Sequence, residues 1–355
     1  MSRTRWPTLS RSFTRRKEPK MKSLADKLLP LGFRNELQRI LDQNIAYRAV
    51  RKEGVCSVHT QYDRGLIIRM AFAQLWDMGV RLPSPRNLGN RHVFMLMERW
   101  DQEGVTVKVL HTRISCLRIF ARWIGKDGMI KDVRDYLPER DLTRRTTAKV
   151  NRAWEANGVI PQEVISRARA LDERLALMLS MQDAFALRMK ESIEMRPANC
   201  LVESGKVLEI YEGTKGGRLR RIDIDSDYKR EVFEWARRLV ATGRDGRIRW
   251  PNRTWKQARA HYYYLLRKLG VTKVDLGITS HGLRHGYAQA KYQDLTGLPS
   301  PIVGVDPKEV DPQAHRDAGI QVSRDLGHGR LQVTASYYGS HGHALRGNRV
   351  KPKKK

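Results

Sequence analysis

From about residue 23 to 140, apolar residues recur every three or four positions, and no other period competes. Leu37, Ile40, Leu41 and Ile45 form one series, and Leu66, Met70, Ala73 and Trp76 a second. Val93, Met97 and Trp100 form a third; Leu110, Ile114, Leu117 and Ala121 a fourth, expected to be the longest helix. That interval puts side chains on one face of an α-helix. Breakers separate the series: Gly54, Pro83-Ser84-Pro85, Gly104, and the stretch from Gly125 to Gly128. Four such helices on short loops can hide their apolar stripes only against one another, so a compact bundle is expected. Lys108, Arg113, Arg118 and Arg122 dot the fourth helix between its apolar positions, and one or two of them are candidates to face a polyanion.

The chain then changes character. Residues 141–165 are basic with few large apolar residues (Arg144, Arg145, Lys149), and read as a partly helical linker. Helical spacing returns at Leu171, Leu175 and Leu179. Lys206–Tyr211 and Arg218–Ile224 alternate or carry β-branched residues, with Gly213-Thr214-Lys215-Gly216-Gly217 between them, which reads as a β-hairpin. Helices follow at about 227–241 and 254–268. The run Thr279-Ser280-His281-Gly282-Leu283-Arg284 reads as another helix, with Thr279 or Ser280 as its N-cap. Residues 293–320 hold Pro and Gly without a clear period and read as a loop or insertion; a last helix is expected at about 330–338. The fold class is therefore mainly α with a small β-sheet (α+β). A basic arm (1–22) and a basic tail (346–355) flank the bundle (23–140), the linker (141–165) and the second domain (166–345).

Charge limits the partner. Lys and Arg number 68 against 38 Asp and Glu, a formal net charge of +30. An excess of that size predicts a polyanion, with duplex DNA or RNA first. An anionic membrane is the weaker reading, because no apolar run approaches the roughly twenty residues needed to span a bilayer. The three cysteines, Cys56, Cys116 and Cys200, are an odd number and far apart, which points away from a disulfide framework and toward a reducing cytosol. The N-terminus lacks the apolar core of a secretory signal. His341-Gly342-His343, and His281 with His285, have ligand-like spacing, but no carboxylate or thiol partner is evident, so no metal is expected.

Several basic and imidazole side chains suit a phosphate. His281 and Arg284 are three apart and share a helix face near its start, where an oxyanion is favoured. Arg188 and Glu191 are also three apart on an expected helix, so the carboxylate can orient the guanidinium. Lys215 stands at the hairpin tip, where a flexible amine can reach into a site. His328 closes Leu326-Gly327-His328, and Tyr337 follows nine positions later, with Tyr338 adjacent.

In that order (Arg, Lys, His-x-x-Arg, Leu-Gly-His, Tyr) the chain resembles the tyrosine recombinases, and within them the integrases of phages and integrative elements. The matching stretches are Leu187–Glu191, Gly213–Arg218, His281–His285, Leu326–His328 and Thr334–Tyr337. The resemblance implies an N-terminal helical core-binding domain and an α-rich catalytic domain that close around the duplex. It implies that Tyr337 is the nucleophile, forming a 3′-phosphotyrosyl link, with Tyr337 favoured over Tyr338 by its spacing from His328. Arg188 and Arg284 would bind the non-bridging oxygens, His281 and His328 would exchange protons with the same phosphate, and Lys215 would be the general acid. No cofactor or metal is implied. Partners would be DNA attachment sites, a second pair of subunits making a homotetramer on two sites, and accessory DNA-bending proteins, in a bacterial cytoplasm. The alternatives are a type IB topoisomerase, which would relax supercoils without paired sites, and a non-catalytic DNA-binding protein on the same fold. Affinity for non-specific duplex should fall steeply with salt, because many phosphates are neutralised; an affinity that barely changes between low and moderate salt, measured by fluorescence anisotropy, overturns the polyanion reading.

Overall fold

The computed structural model describes residues 27–47, 54–144, 147–214, 216–241, 245–305, 309–328 and 331–340. The expected basic arm, Lys215, His341 and His343, and the basic tail lie outside them. The chain divides into two compact units, 1–144 and 145–355.

In the first unit, four helices fall where the apolar series place them: α1 (Leu31–Asn44), α2 (Val58–Asp77), α3 (Asn90–Gln102) and α4 (Val107–Trp123). At 20 residues α2, rather than α4 at 17, is the longest. Ser57 starts α2 by accepting from Thr60 N (3.2 Å), which satisfies one of the donors a helix start leaves unpaired. The stripes meet in one core that includes Leu37, Ile68, Phe72, Met97, Leu117 and Phe120. Phe72 is its hinge: it meets Phe33 edge-on at 5.2 Å and Phe120 at 5.3 Å. Trp100 is fully buried and donates to Gln74 Oε1 (2.8 Å), so its indole N–H is satisfied. Three of the four cations on α4 are engaged inside the unit. Arg113 lies over the Trp100 ring, Arg118 donates to Ile130 O, and Arg122 pairs with Asp127. A short helix, α5 (Val133–Tyr136), closes the unit.

The second unit is built on α7 (Glu173–Phe185), which follows α6 (Pro161–Leu171) across a break at Asp172. Asp172 caps α7 by accepting from Leu175 N (2.8 Å). Residues 175–182 are buried all the way round, as a helix surrounded by other helices must be. Around it lie α6, α9 (Asp227–Val240) and α11 (His281–Thr296). Between α7 and α9 come α8 (Met189–Glu194) and an antiparallel sheet of β1 (Leu201–Val202), β2 (Val207–Ile210) and β3 (Arg220–Asp223), in the order β1-β2-β3. The expected hairpin is the β2–β3 pair, in register from Val207↔Asp223 to Ile210↔Arg220. The period of two buries Arg220 and Ile222 and exposes Arg221 and Asp223. Helix α10 (Trp255–Lys268) precedes α11, and α12 (Pro312–Asp325) and α13 (Leu331–Tyr338) pack against it.

The structure differs from the sequence reading in further respects. Residues 147–165 are no linker; they pack into the second unit, where Trp154 is fully buried in the core and donates to Thr279 O (2.8 Å). Residues 312–320, expected as part of a loop, are helical and belong to α12. Asp311 caps α12 by accepting from Ala314 N (2.9 Å), and Ala318, Val322 and Leu326 give it a thin stripe that small residues obscure. Arg188 is not within a helix but is the residue before α8. Truncating Trp154→Ala leaves a large hole in the core of the second unit and should cost about 3–5 kcal/mol; a chemical-denaturation midpoint unchanged for that unit would show that residues 147–165 do not belong to its core.

Candidate active site

Two helices point their C-termini at the same spot. The last carbonyls of a helix have no partner within it and carry the negative end of its dipole. Helix α7 ends in Phe185 and Ala186, the latter left-handed at φ 49°. Helix α12 ends in Asp325 and Leu326. Three guanidinium groups take up these carbonyls. Arg284 donates to Ala186 O and to Leu326 O, and Arg188 donates to Leu326 O (3.2 Å). Arg220 donates to Phe185 O (3.1 Å) and twice to Asp325 O (2.9 and 2.5 Å).

One carboxylate ties two of them, Arg188 and Arg220, together. Glu191 is fully buried and accepts from Arg188 Nη1 (2.6 Å) and from Arg220. Its other role is local: Glu191 Oε2 accepts from Arg188 N (2.7 Å), closing the start of α8. The spacing of three thus orients the guanidinium as the sequence suggested, with the same carboxylate also capping the helix start. Arg284 is fully buried, and that burial, followed by the charges of Arg220 and Arg188, lowers its pKa to about 9. Burial lowers that of Arg220 as well.

Helix α11 brings the imidazoles. His281, Arg284, His285 and Ala288 recur at three and four and share a face. The helix approaches Trp154 so closely that a Cβ on Gly282 would lie 2.5 Å from the indole and 2.6 Å from Arg152 O, which explains the glycine between His281 and Leu283. Neither Thr279 nor Ser280 caps the helix with its side chain. Gly327, at φ +61°, passes over Arg220 with no room for a Cβ and turns His328 back toward Arg284. His328 Nε2 stands 3.3 Å from Arg284 Nη2, and its Nδ1 stands 3.1 Å from Thr334 Oγ1. A guanidinium can only donate, so Nε2 accepts and Nδ1–H points at the threonine. The pKa values agree with a neutral ring. Burial first, then Arg284, Arg188 and Arg220, push His328 down to about 3. Crowding around His281, then Arg284, Arg188 and Arg152, push it to about 4, although the residue keeps solvent exposure. His285 is buried, and that burial, followed by the charge of His281, takes it to about 3.

Helix α13 delivers the tyrosine. Thr334 and Tyr337 are three apart and share a face, while Tyr338 is turned roughly 100° away. Tyr337 OH stands 3.3 Å from His281 Nε2. Its ring lies 4.5 Å from that of His285 and 5.2 Å from that of His328, with the Arg284 guanidinium 5.6 Å from its centre. Tyr338 instead stacks on Tyr292 at 5.0 Å, beside His315, and burial lifts its pKa to about 12. Beside His328 opens a groove of about 500 Å³ lined by Arg218, Arg221 and Arg324 among others.

Arg188, Glu191, His281, Arg284, His328 and Tyr337 thus come together in one place, and Lys215 lies outside the described residues. Sequence reasoning missed Arg220. Its signal was an arginine on the same alternating face as Ile222 and Ile224, which can only be inward. Among the described residues no group of three or more His, Cys, Asp or Glu is placed to hold a metal ion, and no helix is long and apolar enough to cross a membrane.

Two family models match the chain, one described as Integrase over residues 145–290 and one as Phage integrase, N-terminal, over residues 40–130. Among solved structures, a lambda integrase dimer bound to a COC′ core site is similar at 14% identity and a TM-score of 0.52, covering 96% of this chain and 84% of that one. XerH site-specific recombinase, bound to its palindromic difH substrate in a post-cleavage complex, gives 14%, 0.52, and 92% of each chain. The Tn1549 transposon integrase with circular intermediate DNA gives 12%, 0.50, and 88% and 98%. At these identities the likeness is one of fold. No curated protein matches.

The buried, neutral His285 makes stability depend on pH. The unfolded chain takes up protons near pH 6.5, whereas folded His285 does so only near 3. Its contribution is therefore fully present above pH 6.5 and declines as pH falls toward 3. By pH 5 the loss should reach about 2 kcal/mol. Urea midpoints measured from pH 7 to 5 should fall more steeply for the wild type than for His285→Leu, and parallel curves would show that His285 is not held neutral.

Proposed function

We propose that this chain, which belongs to the integrase family of tyrosine recombinases, is a site-specific DNA recombinase that integrates or excises a mobile element. The observation that carries the reading is the convergence of one phenol with two guanidinium groups and neutral imidazoles, in a chain of net charge +30.

The chemistry follows from those groups. The Tyr337 oxygen attacks a backbone phosphorus; an O–P bond to tyrosine forms and the bond to the 5′-oxygen breaks. Neutral His281, with Nε2 at 3.3 Å, is the nearest partner for the phenolic proton. Arg188 and Arg284 hold the non-bridging oxygens, for which a planar guanidinium fork is suited. His328, beside Arg284, contacts the same oxygens, and Lys215 protonates the departing 5′-oxygen. The 3′-phosphotyrosyl ester keeps the energy of the broken bond, so rejoining is the same step reversed with a different 5′-hydroxyl and needs neither ATP nor metal. Glu191 and Arg220 carry no part of the reaction; they fix Arg188. Cutting and exchanging two duplexes takes four active sites, so the working form is a homotetramer on two attachment sites, in the bacterial cytoplasm, with DNA-bending proteins as accessory partners.

Incubation with a nicked suicide duplex from the element's own end should trap a covalent protein–DNA adduct, and peptide mapping should find it on Tyr337. Tyr337→Phe should bind the same duplex and form no adduct. Arg284→Ala removes one donor to the developing charge and should slow adduct formation about a hundred- to a thousandfold. An adduct on another residue, or wild-type binding with no adduct at all, rejects the reading.

A further inference from the structure

The main chain of Tyr337 is held from a direction that the reaction itself does not use. Its carbonyl is one of the last in α13 and has no partner inside the helix. Gln289, one turn beyond His285 on α11 and buried, donates to it from Nε2 (3.1 Å). The same Nε2 donates to Asn151 Oδ1 (2.8 Å), and Asn151 Nδ2 donates back to Gln289 Oε1 (3.1 Å). Main-chain groups fix both amides. Ala153 N donates to Asn151 Oδ1 (3.0 Å), so the oxygen must face that way; Tyr337 O can only accept, so the nitrogen of Gln289 must face it.

The stretch that carries Asn151 touches the site at two further points. Ala148 N donates to Ala335 O (3.2 Å) on α13, and Trp154 Nε1 donates to Thr279 O (2.8 Å) in the turn that starts α11. Residues 148–154 thus grip both the helix that bears Tyr337 and the start of the helix that bears His281 and Arg284.

We propose that Asn151 and Gln289 are a positioning clasp that sets Tyr337 in register with His281 and Arg284, so that the phenol oxygen lies in line with the scissile phosphate. The inference rests on the recombinase reading above. Neither side chain touches a reacting atom; each acts through the tyrosine main chain. Loss of the clasp lets the end of α13 drift, and a misplacement of about 1 Å costs about a hundredfold in rate.

The test compares wild type, Gln289→Met, Asn151→Ala and the double variant, all as the full chain. Each is offered two nicked duplexes, one ordinary and one with sulfur in place of the bridging 5′-oxygen. On the second, tyrosine attack forms the O–P bond, breaks P–S and releases a thiolate that needs no proton. Gln289→Met should slow adduct formation about a hundredfold on both duplexes, with duplex affinity and thermal midpoint close to wild type. The double variant should be no slower than Gln289→Met alone, because both changes break one unit. A defect that sulfur restores would assign Gln289 to leaving-group protonation and overturn the clasp. Wild-type rates in the variants, or losses that track a lower thermal midpoint or weaker binding, would overturn it too. Tyr337→Phe and wild type run in parallel separate the two ideas: no adduct from wild type removes the recombinase reading itself, whereas a wild-type adduct on Tyr337 with unaffected variants removes only the clasp.

Discussion

The second unit depends on two helix ends meeting. Where α7 and α12 stop, four carbonyls are left without helical partners, at Phe185, Ala186, Asp325 and Leu326. Buried carbonyls of that kind need donors, and a guanidinium supplies several in one plane. Arg284 and Arg220 are therefore structural and electrostatic at once: they close the helix ends and, by doing so, are fixed with their charge facing the site. A lysine could satisfy one carbonyl but could not bridge two helices with a rigid fork.

The neutral histidines follow from the same arrangement. His285 is buried, while His281 and His328 stand partly desolvated beside guanidinium groups, and all three are depressed well below the usual range. Each can then accept on one ring nitrogen and donate on the other. His328 shows this directly, facing Arg284 with one nitrogen and Thr334 with the other. The cations are thus placed for both parts of the proposed chemistry: they can attract an oxyanion, and they keep the imidazoles in the form that can take a proton.

Much of this was legible in the chain, for identifiable reasons. Helices α1, α3 and α4 show because each puts large apolar residues on one face, and α2 shows although residues 70–75 are buried all round. His281, Arg284, His328 and Tyr337 show because their order and spacing form a pattern that few chains share. What stayed hidden was set by tertiary contacts. Arg220 sits in a run of three arginines in four residues, and its burial is decided by the strand's pairing with β2 rather than by its own character. Helix α12 buries Ala318, Val322 and Leu326, too small a stripe to stand out around Gly319. Trp154 was a lone aromatic in a basic stretch, and nothing nearby in sequence says that Gly282, more than a hundred residues on, makes room for it. Asn151 and Gln289 are ordinary polar residues until the fold brings them to Tyr337.

The charge balance gives the arrangement its chemical sense. Arg188 and Arg220 are bound to one carboxylate, Glu191, beside Arg284, which donates to main-chain carbonyls, while the carboxylate of Asp325 is turned to Tyr287 and Gln321. Three cations against that one anion leave two positive charges, partly desolvated, around the space in front of Tyr337. A phosphodiester brings a single negative charge. In the proposed reaction the phosphorus becomes five-coordinate when the phenol adds, and its non-bridging oxygens carry more charge than before. On that proposal a site with a surplus of two gains more from the transition state than from the substrate, and only that difference speeds a reaction. Burial first, then the charges of Arg220 and Arg188, lowers the pKa of Arg284, so holding that cation in place costs stability in the empty protein. Such strain is expected where a fold is shaped by the charge it must meet rather than by its own balance.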